Sequence, residues 1–182
     1  HSLYLYDSDT NPASLTLTAK GADGVVLDTA AYNSYIGTNR SLVVNATAGS
    51  ITNKKGFSFG GTSADNGGSV TFNAAQDINQ ESALYPSGYG KLSFTAGNNV
   101  TLGTVSASNA NVSFDAGNNI TVGSDIEGTN NGRVSLVAGN TNAVNGSVIA
   151  KRNGQVSLDA EVQNHVTGNL GANYLVTETH EP

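Results

Sequence analysis

Apolar and polar residues alternate along this chain in short bursts that return at a near-constant interval. The unit is apolar-x-apolar-x-Ala. It begins at Leu15, Leu42, Val70, Leu92, Val112, Val134 and Val156, at intervals of 27, 28, 22, 20, 22 and 22 residues. The second apolar residue is Leu17, Val44, Phe72, Phe94, Phe114, Leu136 or Leu158. The alanine is Ala19, Ala46, Ala74, Ala96, Ala116, Ala138 or Ala160. A period of two marks a strand with one buried face. Thr71, Ser93, Ser113, Ser135 and Ser157 stand between the apolar pair and are expected to face water. A second strand is expected after a Gly-Asn-Asn turn, at Val100–Leu102 and Ile120–Val122, and a third around Val105, Ile126, Val148 and Leu170.

Three short strands and their turns in about 20 residues make one coil of a solenoid. The predicted fold class is therefore all-β, a right-handed parallel β-helix of about seven coils of 20–28 residues, the hand being taken from precedent for the fold. At roughly 4.8 Å per coil the seven would span about 34 Å. Stacking then assigns roles by column. Phe72, Phe94 and Phe114 are expected to form an inward aromatic column. Gly97, Gly117 and Gly139 follow the alanine and are read as positions where the backbone needs positive φ. Asn98, Asn118 and Asn140 come next, suited to left-handed backbone and to hydrogen bonds between equivalent residues of neighbouring coils. Asn142 and Asn164 fall where Val100 and Ile120 lead one to expect an apolar residue, which predicts a weakened second strand in the last two coils.

The whole chain, 1–182, reads as a single β-helix segment. Residues 1–13 form a cap or partial coil, 14–90 three longer coils, 91–172 regular coils and 173–182 a tail. The extra residues of the long coils are expected to leave the helix as loops at 28–40, 53–68 and 79–90, although Phe57 and Phe59 also suit an inward-facing strand.

Composition fits this picture. There are 22 Gly, 3 Pro and only 12% charged residues, as turns in every coil require. The formal charge of −6 argues against nucleic acid or an anionic membrane as a partner. With no cysteine there is no disulfide framework. The chain starts abruptly at His-Ser, ends at Glu-Pro and reads as an excised piece of something longer.

Four tyrosines on the long coils, Tyr32, Tyr35, Tyr85 and Tyr89, are the candidate ligand-binding residues. Sugar rings stack on exposed aromatic faces, and Tyr85 and Tyr89 flank a Pro-Ser-Gly turn. The alternative is that these rings fold back over the side of the helix. Asp7, Asp9 and Asn11 have the spacing that opens a calcium loop, but Pro12 stands where the loop needs glycine and no Glu closes it. They are read as a solvated turn, and no metal or cofactor is expected. His1, His165 and His180 are too dispersed for a ligand set. Asp115 and Asp159 share a column two coils apart, and no basic residue lies in register with them, so no catalytic residues are assigned and no enzyme is expected. Lys54-Lys55 and Lys151-Arg152 read as solvated pairs on loops.

Within residues 90–123 one sentence occurs twice, as LSFTAGNNVTLG and then VSFDAGNNITVG. Repeats of the form G-x-φ-S-φ-x-A-G-N-N-φ-T-φ-G, with φ apolar, resemble those of filamentous-haemagglutinin-like proteins, the large exoproteins of bacterial two-partner secretion systems. The best matches are 90–123 and 132–139, with weaker copies at 68–74 and 154–160, roughly half the chain. The resemblance implies a β-helical filament that is secreted through an outer-membrane partner and displayed at the bacterial surface. It also implies the roles of such filaments: adhesin, biofilm matrix protein, virulence factor, contact-dependent toxin carrier or haemolysin. The family's secretion domain carries Asn-Pro-Asn motifs. Only Asn11-Pro12 occurs here, without the following Asn, so this piece is expected to lie inside the filament. The expected function is an internal segment of a secreted adhesin, a scaffold presenting loops to a host or bacterial surface glycan or protein receptor. The alternatives are a purely structural stalk and, further off, a polysaccharide-cleaving enzyme.

Overall fold

A computed structural model of the chain describes residues 11–28 and 34–172, together with the backbone of two outlying strands, Tyr4–Leu5 and Leu175–Glu178. Among the described residues there are strands and turns and no helix. After β1 (Tyr4–Leu5), the first coil carries β2 (Ala13–Ala19), β3 (Val25–Leu27) and β4 (Ser34–Ile36), and the second β5 (Arg40–Ala46), β6 (Ile51–Asn53) and β7 (Phe57–Phe59). The third has β8 (Ser69–Ala74) and β9 (Ile78–Gln80), and the fourth β10 (Lys91–Ala96), β11 (Val100–Leu102) and β12 (Val105–Ser108). The fifth has β13 (Asn111–Ala116), β14 (Ile120–Val122) and β15 (Ile126–Thr129), and the sixth β16 (Arg133–Ala138), β17 (Thr141–Val144) and β18 (Val148–Ala150). The seventh has β19 (Gln155–Ala160), β20 (Gln163–Val166) and β21 (Leu170–Ala172), and β22 (Leu175–Glu178) follows.

Every ladder is parallel, and each strand pairs with its counterpart one coil away. The result is a parallel β-helix, as the periodicity predicts. The first face is an 8-stranded sheet, β2-β5-β8-β10-β13-β16-β19-β22, and the second a 7-stranded sheet, β3-β6-β9-β11-β14-β17-β20. The third face is divided into β1-β4-β7 and β12-β15-β18-β21, with a single bridge from Leu84 to Val105 where the third coil meets the fourth.

The predicted columns are the observed registers. Phe72, Phe94 and Phe114 align with Val44 on one side and Leu136 on the other, and the alanines align from Ala19 to Ala160. All three Phe rings are fully buried, and Phe57 and Phe59 join them from β7, so these two belong to an inward strand rather than to a loop. Thr71, Ser93, Ser135 and Ser157 are half-buried and Ser113 is exposed, all on the outer surface of the first face.

Three expectations are corrected. Gly97, Gly117 and Gly139 do not have positive φ. They are glycine because the coils touch there. A Cβ on Gly97 would lie 2.2 Å from the carbonyl oxygen of Ala75, one on Gly117 2.2 Å from that of Gly97, and one on Gly139 2.2 Å from that of Gly117. Nor does the second strand weaken at Asn142 and Asn164. β17 and β20 are four-residue strands in register, because the two buried amides bond to each other, Asn142 Nδ2 donating to Asn164 Oδ1 at 2.9 Å. Finally, the loops are shorter than predicted. β4 lies within 28–40 and β7 within 53–68. The remainder of the latter, residues 60–68, is a compact turn closed by Asn66, whose Oδ1 accepts from the backbone N–H groups of Thr62 and Ser63.

The asparagines after those glycines do build the expected ladder. Asn118 Nδ2 donates to Asn98 Oδ1 at 3.4 Å and Asn140 Nδ2 to Asn118 Oδ1 at 3.3 Å. Asp77 heads the ladder, its Oδ1 accepting from Asn98 Nδ2 at 2.9 Å and from the backbone N–H of Asn99 at 3.0 Å. Among the described non-glycine residues, positive φ is found at a different corner, the one leading back into the first face.

Candidate functional site

That corner is built from one position per coil, two residues before the aligned starts of the first-face strands. Asn39, Asn109, Asn131 and Asn153 occupy it with φ of 57°, 48°, 63° and 63°. Asparagine suits the left-handed region because its short side chain meets little backbone. Two coils separate Asn39 from Asn109: in the first of them the same position is Gly67, without positive φ, and in the second it is Tyr89, with φ of 61°. A bulky residue is an outlier there, held at a cost of about 1–2 kcal/mol.

The neighbours hold Tyr89 in place. Its backbone N–H donates to the carbonyl oxygen of Asn109 at 2.6 Å. On the other side Gly67 leaves the room it needs, since a Cβ on Gly67 would stand 1.9 Å from the Tyr89 carbonyl oxygen. Gly90 lies over the Phe59 ring, at 2.4 Å from an added Cβ to Phe59 Cγ. The 60–68 turn is therefore packed back against the Tyr89 turn instead of projecting from the helix. Despite this clamping the Tyr89 side chain remains 40% exposed.

Beside Tyr89 runs the outward column that opens the first-face strands, Ser69, Lys91, Asn111, Arg133 and Gln155, in strict register. Lys91, Asn111 and Arg133 are exposed. Two adjoining depressions share these three residues. One, of about 180 Å³, extends to Tyr89, Asn109 and Asn131. The other, of about 350 Å³, runs onto the hydroxyls of Ser69, Thr71, Ser93, Ser113 and Ser135. No carboxylate lines either. The groove thus offers an aromatic face, two cations, several amides and a row of hydroxyls.

The sequence candidates are distributed unevenly about this groove. Tyr89 lines it. Tyr85, 63% exposed, stands on the same turn but outside its lining. Tyr35 is not on a projecting loop: it lies in β4, half-buried, between buried Ser34 and Ile36. Tyr32 lies outside the described residues, as do Asp7 and Asp9. Asn11 is exposed, and its backbone carbonyl accepts from Arg40 Nη1. Among the described residues no three of His, Cys, Asp and Glu are grouped to hold a metal ion.

Asp115 and Asp159 share an outward column with Val137 between them. Two of the basic residues read as solvated have exposed side chains and also face a carboxylate, Lys151 Nζ with Glu127 Oε1 at 3.1 Å and Lys54 Nζ with Asp28 Oδ2 at 4.0 Å. Lys91, Asn111 and Arg133 were not among the candidates. The signal for them is the x of the G-x-φ-S-φ repeat, a single outward column in which two of five residues are cationic. Comparison of the chain with protein-family models, with curated proteins and with solved structures gave no match.

Proposed function

We propose that this chain is an internal segment of a secreted bacterial cell-surface adhesin of the filamentous-haemagglutinin-like kind, exported through an outer-membrane partner. The β-helix would be its rigid shaft, and the Tyr85–Tyr89 turn with the adjoining groove its contact with a glycan on a host or bacterial surface. The observation that carries this reading is Tyr89. An exposed aromatic side chain sits at a backbone position that disfavours it, beside a concave surface rich in hydrogen-bonding groups, and such strain concentrates at functional sites. Sugars are bound by this combination of an apolar ring face and convergent polar groups. The test is saturable attachment of the purified chain to cells, compared with a Tyr85→Ala, Tyr89→Asn variant of unchanged fold. Undiminished attachment by the variant refutes the reading.

A second reading, a stalk that holds other domains apart and binds nothing itself, is favoured by the outer surface of the first face. Its central column, Thr71 to Ser157, is a uniform row of short hydroxyls. It predicts that recoding residues 85–89 and 60–68 leaves adhesion by the parent protein unchanged.

A further inference from the structure

We infer that Asn145 is a modification site, at which the chain loses ammonia through a cyclic imide with Gly146 and becomes aspartyl or isoaspartyl. This does not rest on the adhesin reading. The chemistry needs an asparagine side-chain amide and the main-chain nitrogen of the next residue. Glycine is the most permissive follower, since no Cβ shields that nitrogen. Asn-Gly occurs four times in the chain, at Asn66, Asn131, Asn145 and Asn153. The dipeptide alone does not separate the four; the fold does.

At three of them one reactant is held. The Gly132 N–H donates to the carbonyl oxygen of Thr129 at 2.8 Å and the Gly154 N–H to that of Lys151 at 2.9 Å, and both glycines are buried. Asn66 is held by its side chain instead. Its Oδ1 accepts from the backbone N–H groups of Thr62 and Ser63 at 2.9 and 3.0 Å, and its Nδ2 donates to Thr62 Oγ1 at 2.8 Å. A group locked in this way reaches its reaction partner only after those bonds open.

Asn145 is exposed, at the corner between β17 and β18, and in register it lies between Gly123 and Thr167 of the neighbouring coils. Its backbone N–H donates to the carbonyl oxygen of Val122 at 2.8 Å, and the Ser147 N–H donates to Asp125 Oδ1 at 2.7 Å. Between these two anchors, nothing among the described residues accepts from the Gly146 N–H or bonds the Asn145 side-chain amide. The turn is pinned on either side while both reactants are free.

The Gly146 nitrogen, its proton passed to water, attacks Asn145 Cγ. The N–Cγ bond forms, the Cγ–Nδ2 bond breaks, and the leaving nitrogen takes a proton from water as ammonia. A water molecule then opens the imide at either of its C–N bonds. One water is consumed for one ammonia released, with no oxidant and no cofactor. The product carries one further negative charge. Its isoaspartyl form also has an extra methylene in the main chain between β17 and β18.

The experiment is storage of the intact chain at mildly alkaline pH and physiological temperature. Peptide mapping by mass spectrometry follows all four pairs, and enzymatic methylation scores isoaspartate. Asn145 should convert about tenfold faster than the other three, roughly the factor that one hydrogen bond imposes. In the urea-unfolded chain the four rates should converge, because the protecting bonds are gone. Asn145→Thr, which places at this corner the residue that the next coil carries as Thr167, should remove the fast phase of isoaspartate formation. Equal rates in the folded chain, or an isoaspartate signal undiminished in the Thr variant, overturn the inference. So does a lead for Asn145 that persists in urea, since the local sequence and not the fold would then select the site.

Discussion

Phe72 and Phe94 lie face to face in the interior, their ring centroids 4.5 Å apart and their planes 4° from parallel. Phe94 then meets Phe114 edge-on, at 5.3 Å and 73°. The column changes geometry at Phe94, which therefore makes both kinds of aromatic contact while fully buried. Parallel in-register stacking forces this proximity, because equivalent residues are separated only by the strand spacing.

Truncating that ring should be costly. Phe94→Ala is expected to destabilise the protein by about 3–5 kcal/mol, since both neighbours lose a partner and a cavity remains. Phe94→Asp should unfold the central coils outright, because it places an unpaired charge in the dry interior. Thermal and denaturant unfolding followed by far-UV circular dichroism measure both. A Phe94→Asp protein with native melting behaviour would contradict the buried position of the ring.

Gly117 and Gly103 provide a matched pair. A Cβ on Gly117 would meet the carbonyl oxygen of Gly97 at 2.2 Å and its carbonyl carbon at 3.0 Å, both backbone atoms fixed by the ladder; one on Gly103 has nothing within 4 Å. Gly117→Ala should therefore cost about 1–3 kcal/mol through overpacking. Gly103→Ala should be neutral or stabilise by about 0.4–1 kcal/mol through the unfolded chain. If both alanines behaved alike, steric contact between coils would not be the reason for glycine at 97, 117 and 139.

The same pair marks where the sequence could be read and where it could not. The period of the apolar-x-apolar-x-Ala unit reveals strand, facing, register and column, because in a parallel solenoid equivalent residues must stack. It carries no information on the distance between backbones at a corner, so Gly117 looked like a conformational requirement when it is a steric one. Asn142 misled for a related reason. An amide in an apolar column reads as a fault until its partner one coil away, Asn164, is in place. The groove was half legible. Tyr89 stood out as an aromatic in a turn, whereas Lys91 and Arg133 became neighbours only once the 20- and 22-residue coils were stacked.

Asn142 and Asn164 should be energetically coupled. Asn142 Nδ2 donates to Asn164 Oδ1 and, at 2.8 Å, to the carbonyl oxygen of Asp159, while Asn142 Oδ1 is buried without a partner. Replacing Asn164 alone by Leu removes one acceptor from a buried amide and should cost about 1–3 kcal/mol. Replacing both by Leu continues the apolar column of Val100 and Ile120 and removes the orphan oxygen. The double variant should be at least as stable as the parent. A double-mutant cycle in urea tests this, and additive losses would show that the two amides do not act as a unit.

The strain at Tyr89 can be separated from the ring it carries. Tyr89→Ala and Tyr89→Asn remove the same aromatic contacts, so any difference between them reports the backbone. At φ of 61° alanine remains disfavoured, whereas asparagine restores the residue found at Asn39, Asn109, Asn131 and Asn153. The Asn variant should therefore be the more stable by about 1 kcal/mol, or about 2–4 °C in Tm for a chain of this size. Tyr89→Gly should fall with Asn rather than with Ala, since glycine takes the left-handed region freely. The clamp supplied by Gly67 and by the hydrogen bond to Asn109 keeps the turn from relaxing when the side chain changes. If Ala and Asn melted together, the left-handed turn would not be held by its neighbours, and Tyr89 would lose its standing as a residue kept there against its own conformational preference.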